Sequence, residues 1–229
     1  MQRKIEYMHA ASGLLFVVTM IAGWFFVAAN GMPDLSSARE IYDAYREHAD
    51  LLPTTIFVMT VGFFFSLWFA GVLLGRMHAA EGGGPLTWIA AGGVFTFIAV
   101  FMAGLAMGLG NALAVDQGVG ADASSIYVSH MASLLTGPTT GMCGAAFFGP
   151  LALVIFATGM LPRWVGWLSV AAVLGTLTPM LGFWSVTGAL NVGSGVIGVQ
   201  TIAGTWGVFA AAVSVHLLRE LRAAERVAV

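Results

Sequence analysis

The chain has 229 residues, 59% of them hydrophobic and 9% charged, with a net charge of -2. An average soluble domain is about one quarter charged, so no water-facing surface can be assembled from this composition, and nucleic-acid binding lacks the basic patch it needs. Cys143 is the only cysteine, which excludes an internal disulfide and a cysteine-based zinc or iron-sulfur centre.

A helix needs about 20 mostly apolar residues to cross a hydrocarbon core about 30 Å thick. Stretches of that kind predict six spans at about 10–30, 54–75, 86–110, 138–160, 164–188 and 195–217. The expected fold is therefore an all-α integral membrane protein, a single six-span domain over 1–229. Arg3 and Lys4 before an apolar run that ends in Val27-Ala28-Ala29 imitate a secretory signal. The uncharged run from Ala10 to Ala29 exceeds the roughly 7–15 residues of a signal core, so it reads as the first span.

After it, Ser37 followed by Glu40 has capping-box spacing, and Ile41, Tyr42 and Tyr45 recur at helical intervals. This predicts a short amphipathic helix in the first outer loop, either a lid or partner surface or, as the favoured reading, a helix lying on the lipid headgroups. The run Glu81-Gly82-Gly83-Gly84-Pro85 lacks the Lys-Ser or Lys-Thr of a phosphate loop and reads as a turn. Ala123 to Met160 is too long for one perpendicular span and carries Gly137-Pro138 and Gly149-Pro150. Proline removes a helix hydrogen bond, so a break is expected near Gly137-Pro138, leaving either two helices or one bent one.

Basic residues are retained on the cytoplasmic side. Arg3, Lys4, Arg76, Arg163, Arg219, Arg222 and Arg226 fall on one side, against Arg39 and Arg46 among carboxylates on the other. Both termini are thus expected in the cytoplasm of a bacterial inner membrane. Trp88, Trp164, Trp167 and Trp184 fall near span ends, as an interfacial belt requires.

No Asp, Glu, Lys or Arg lies within the predicted spans, which weighs against proton-coupled pumps and voltage sensors but not against passage of a neutral or lipidic molecule. Thr136, Pro138, Thr139, Thr140 and Cys143 beside the break, with Gln200, Thr201 and Thr205 on the sixth span, are the candidate ligand pocket. The plainer reading is that these hydroxyls satisfy freed backbone and hold helices together, at about 1 kcal/mol each. His9, His78 and His216 lie near one set of span ends, where a pair such as His9 and His216 at one depth would ligate a haem iron or other metal; polar caps of helix ends are the favoured reading, and no cofactor is predicted. His130 reads as solvated. Gly71 and Gly75, and Gly104 and Gly108, have the spacing for close helix approach within a monomer, in a homo-oligomer or with a membrane partner. No nucleophile with a neighbouring base can be placed, so an enzyme is not expected.

Four stretches carry a family likeness: Arg76-Met-His-Ala-Ala-Glu81-Gly-Gly-Gly, Leu161-Pro-Arg-Trp-Val-Gly-Trp-Leu168, Trp206 followed by Val215-His-Leu-Leu-Arg219, and Ser37-Ala-Arg-Glu-Ile41. The chain resembles the DUF4386-like group of bacterial multi-span membrane proteins, common in actinobacteria, over nearly its whole length. The resemblance implies a topology; it carries over no catalytic or binding residue.

Overall fold

The computed structural model describes residues 2–29, 37–120, 122–184, 188–190 and 198–227, apart from the side chains of 2–3, 25–29, 190, 199–200 and 227. Its helices are α1 (Gln2–Ala29), α2 (Ala38–Glu47), α3 (Leu52–Glu81), α4 (Pro85–Gln117), α5 (Ala123–Thr139), α6 (Gly141–Thr158), α7 (Arg163–Leu177) and α8 (Val199–Val227). Two short 3-10 segments, Thr178–Trp184 and Gly188–Leu190, stand between α7 and α8. Lipid offers no partner to an open backbone, so a spanning chain must pair its own amides within each helix. Six helical segments are long and apolar enough to cross a bilayer, with α5 and α6 forming one of them over Ala123–Thr158. The protein is an integral, multi-pass membrane protein.

Most helices outrun the apolar stretches that announce them. α3 continues to Glu81, α4 to Gln117 and α8 to Val227, because hydropathy marks the part in hydrocarbon while helical pairing carries on into the polar zone. α3 stops at Gly82, whose φ of 71° is open to glycine, and α4 begins with Pro85 in its first turn, where no amide partner is lost. The Glu81 carboxylate bridges the two helices, accepting from Leu86 N at 2.8 Å, Thr87 N at 2.9 Å and Thr87 Oγ1 at 2.7 Å. The glycine-rich stretch is thus a stapled turn. In the fifth crossing the α-helix ends at Leu177 and tightens to 3-10 geometry around Pro179, which cannot supply an amide hydrogen. Parts of the fifth and sixth predicted spans, 185–187 and 195–197, lie outside the described residues.

α5 passes through Gly137 and Pro138 and gives way at Thr140, which keeps right-handed backbone (φ -82°, ψ -2°) and donates its N–H to Gly137 O at 3.0 Å. The chain resumes as α6 at Gly141 without reversing, so the break is a kink two residues beyond Pro138.

α2 is an amphipathic helix packed on the bundle. Ser37 caps it as expected, its hydroxyl accepting from Glu40 N at 3.2 Å. Ile41 and Tyr45 are buried against Ala112 and Val115 of α4 and Ile126 of α5. The helix is docked onto the bundle because its apolar stripe finds a protein surface there.

Glycines set the tight half of the bundle. A Cβ at Gly13 of α1 would fall 2.9 Å from both Ala210 O of α8 and Phe69 Cδ2 of α3, so only glycine permits this three-helix approach. The main core continues through an aromatic centre in which Trp206 stacks on Phe147 (centroids 5.3 Å apart, planes 13° apart) and contacts Phe97 and Phe148, each at 4.6 Å. Arg76 of α3 pairs with Glu220 of α8 at 3.3 Å, and Lys4 shares a surface groove with Glu225. Both described chain ends therefore lie at one end of the bundle, and the α2 segment lies at the other. Trp88, Trp164, Trp167 and Trp184 are all exposed on the helix surfaces.

Candidate functional site

Beyond the Gly13 contact, α1, α3, α4, α5 and α8 separate and enclose a cavity of about 770 Å³ at the α2 end of the bundle. The space exists because α4 and α8 present hydrogen where other residues carry side chains: Gly108, Gly204 and Gly207 line it, and a Cβ at either α8 position would meet nothing within 4 Å. Phe16, Met59, Phe63, Phe101, Leu105 and Trp206 form much of the wall. Its volume is within the roughly 300–1,000 Å³ of small-molecule sites. Ile21 of α1 and Val208 of α8 border it and are 63% and 61% exposed, so the cavity is open between these two helices.

One face of α5 supplies most of the polarity. His130, Ser133, Leu134 and Gly137 follow the three-and-four spacing of a single helical stripe, and all line the cavity. Two lining hydroxyls are already committed to their own helices: Thr55 Oγ1 donates to Leu51 O at 3.1 Å and Thr136 Oγ1 to Ser133 O at 2.6 Å. The distinctive feature is a pair from separate elements, Tyr45 Oη and His130 Nδ1, 2.9 Å apart, with Asn111 Nδ2 donating to the phenol oxygen at 3.4 Å. Burial pushes the Tyr45 phenol above its ordinary pKa, partly opposed by the Asn111 hydrogen bond, so the hydroxyl keeps its proton. The arrangement that uses this proton has Tyr45 donating to Nδ1, which places the ring hydrogen of neutral His130 on Nε2. No Asp, Glu, Lys or Arg is among the lining residues.

His130 is 1% exposed, correcting the expectation of a solvated histidine. It is buried because docked α2 brings Tyr45 over it, an arrangement that α5 alone does not announce. Of the threonines at the break, Thr136 reaches the cavity, Thr139 is exposed and donates to Thr136 O at 2.9 Å, and Thr140 is buried and donates to Gly137 O at 2.6 Å. Cys143 packs against the main core, and Thr205 fills the space beside Gly175 of α7. Thr201 is half-buried at the start of α8; the Gln200 side chain lies outside the described residues. The cavity takes walls from the fourth and sixth spans and equally from the first three, and of the predicted pocket residues whose side chains are described only Thr136 lines it.

The three histidines singled out in the sequence as metal candidates sit with separate partners. His9 packs on Trp68, His78 on Trp88 and His216 edge-on to Trp164. His216 Nε2 also lies 3.1 Å from Glu220 Oε1, yet off the direction a hydrogen bond requires, which leaves that nitrogen without one. Among the described residues no group of three or more His, Cys, Asp or Glu is placed to hold a metal ion. Gly71 and Gly75 face outward with nothing within 4 Å, whereas Gly104 is closed against Thr136 of α5 and Gly108 opens on the cavity. Tyr45 and Asn111 carry no binding motif in the sequence; Tyr45 is legible there only as part of the apolar face of α2, and Asn111 as the first polar residue after an apolar stretch. No family model matches the chain, and neither the curated proteins nor the solved structures contain a match.

Proposed function

We propose that this is a non-enzymatic membrane protein that holds a neutral, largely apolar small molecule or lipid within the bundle. The observation that carries the reading is the cavity of about 770 Å³, uncharged along its whole lining and open between α1 and α8 at Ile21 and Val208. An apolar guest fits such a wall, whereas an ionised one would forfeit its hydration without a counter-charge. Resemblance to the DUF4386-like group adds a topology to this reading and no ligand.

Filling the cavity tests it. Gly108→Phe and Gly207→Phe each add a ring where the backbone leaves room, the nearest atoms to a Cβ at Gly108 being 3.9 Å away. Native mass spectrometry of gently extracted protein should show defined non-protein mass on the wild type, and each variant should retain about tenfold less of it. Wild type and variants carrying the same mass, or a wild type that is bare and binds no added neutral lipid, would sink the proposal.

The gathering of Lys4, Arg76, Arg163, Arg219, Arg222 and Arg226 at the terminal end of the bundle supports cytoplasmic termini in a bacterial inner membrane. A reporter active only in the cytoplasm should work when fused after Val229 and fail when inserted at Gly118-Val119; the reverse pattern would invert the topology.

A further inference from the structure

If the cavity is a ligand site, its polar end states what kind of head the ligand carries. We infer that the occupant is an uncharged lipid with one hydrogen-bond-accepting head, a carbonyl or hydroxyl oxygen, seated on His130 beneath α2.

Four observations converge on this. First, Tyr45 links Asn111 and His130 in one hydrogen-bonded chain. Asn111 Nδ2 donates to Tyr45 Oη at 3.4 Å, and Tyr45 Oη lies 2.9 Å from His130 Nδ1. With the phenol hydrogen on Nδ1, the imidazole is neutral and Nε2 is a donor. Second, Nδ1 is occupied by Tyr45, so Nε2 is the ring nitrogen left for a guest in a cavity that His130 itself lines. Ser133, one helical turn along the same face of α5, borders the same space and can supply a second hydroxyl contact. Third, Thr55 and Thr136 have their hydroxyl hydrogens on backbone carbonyls, so on the face of the cavity beneath α2 the donors available to a head are His130 and Ser133, while the indole N–H groups of Trp24 and Trp206 belong to the α1 and α8 walls. Fourth, no carboxylate, ammonium or guanidinium lines the cavity. A phosphate, sulfate or quaternary ammonium head would be a buried charge without a partner, while a pure hydrocarbon would leave the His130 donor unmet.

The geometry also orients the guest. The head lies under α2, held by α5, while the chain runs along the Phe63, Phe101 and Trp206 walls toward the opening between α1 and α8. α2 thereby has a positioning role: Tyr45 sets the imidazole's proton arrangement and need not touch the ligand.

The test compares three probes of equal chain length on the full-length protein in detergent: tritiated hexadecan-2-one, hexadecane and hexadecyl sulfate. Wild type should prefer the ketone to hexadecane by about three- to tenfold, the worth of one hydrogen bond, and should bind the sulfate no better than hexadecane. His130→Phe should erase the ketone preference while hexadecane binding persists. Tyr45→Phe keeps the ring over His130 but frees Nδ1, and should reduce the preference; it decides the matter should His130→Phe fail to purify as a monodisperse protein. Gly207→Phe should abolish binding of every probe. Equal binding of ketone and hexadecane, tighter binding of the sulfate, or an undiminished preference in both His130→Phe and Tyr45→Phe overturns the head assignment. In those cases loss of binding in Gly207→Phe leaves the cavity reading standing, whereas binding untouched by Gly207→Phe overturns both.

Discussion

Trp206→Ala should lower stability by about 3 kcal/mol and merge the cavity with the centre of the bundle. Large aromatic truncations in cores cost about 3–5 kcal/mol, part of it transfer of the side chain from water and part the void left behind. In a bilayer the unfolded reference is itself apolar, so the transfer share shrinks and lost contact dominates. The contact here is extensive: Trp206 is 2% exposed, stacked on Phe147 and in contact with Phe97 and Phe148, which lie on α4 and α6. Removing the indole takes from α8 its anchor to both helices. Trp206→Phe should be far milder, since it keeps most of the stacking and discards an indole N–H that is buried without a hydrogen-bond partner. Thermal unfolding followed by labelling of the single thiol, Cys143, reads both variants, because that side chain packs against the core. A Trp206→Ala protein that melts with the wild type would show that the aromatic centre does not hold the bundle together.

What could be read in the sequence, and what could not, divides along a physical line. The six crossings were legible because hydrocarbon imposes a length and an apolarity on each segment separately, and Leu52–Glu81 or Pro85–Gln117 meets that demand without reference to its neighbours. The cap of α2 was legible for the same reason: the Ser37 hydroxyl accepts from Glu40 N within one turn. Relations between helices were not legible. Gly71 and Gly75 share the four-residue spacing of Gly104 and Gly108, yet the first pair faces away from the bundle, Gly104 is closed against Thr136, and Gly108 opens on the cavity. Spacing identifies a smooth face without saying what lies on it. The candidate site followed the same rule. Thr139 and Thr140 bond to their own helix, as the kink requires, while the pair that marks the cavity, Tyr45 and His130, is separated by 85 positions and meets only once α2 has docked.

Two adjacent glycines on α4 should respond in opposite ways to the same substitution. A Cβ at Gly93 would lie 2.6 Å from Cys143 O, 2.8 Å from Phe147 N and 2.9 Å from Ala146 C, all backbone atoms of α6 that cannot rotate aside. Gly93→Ala therefore forces α4 and α6 apart, with an overpacking cost of about 1–3 kcal/mol, and Gly93→Val should prevent a monodisperse preparation. The damage extends beyond the local clash, because Phe97 on α4 and Phe147 on α6 clasp Trp206 from the two helices being separated. Gly92 is exposed, with nothing within 4 Å of its would-be Cβ. Gly92→Ala should stay within about 0.5 kcal/mol of wild type, as surface changes usually do, with any shift toward greater stability since alanine favours the helix. Helicity followed by circular dichroism through a thermal ramp separates the two. A Gly93→Ala protein that melts with Gly92→Ala would mean that α4 and α6 do not meet backbone to backbone, and the wall that seats Trp206 beside the cavity would then have to be drawn differently.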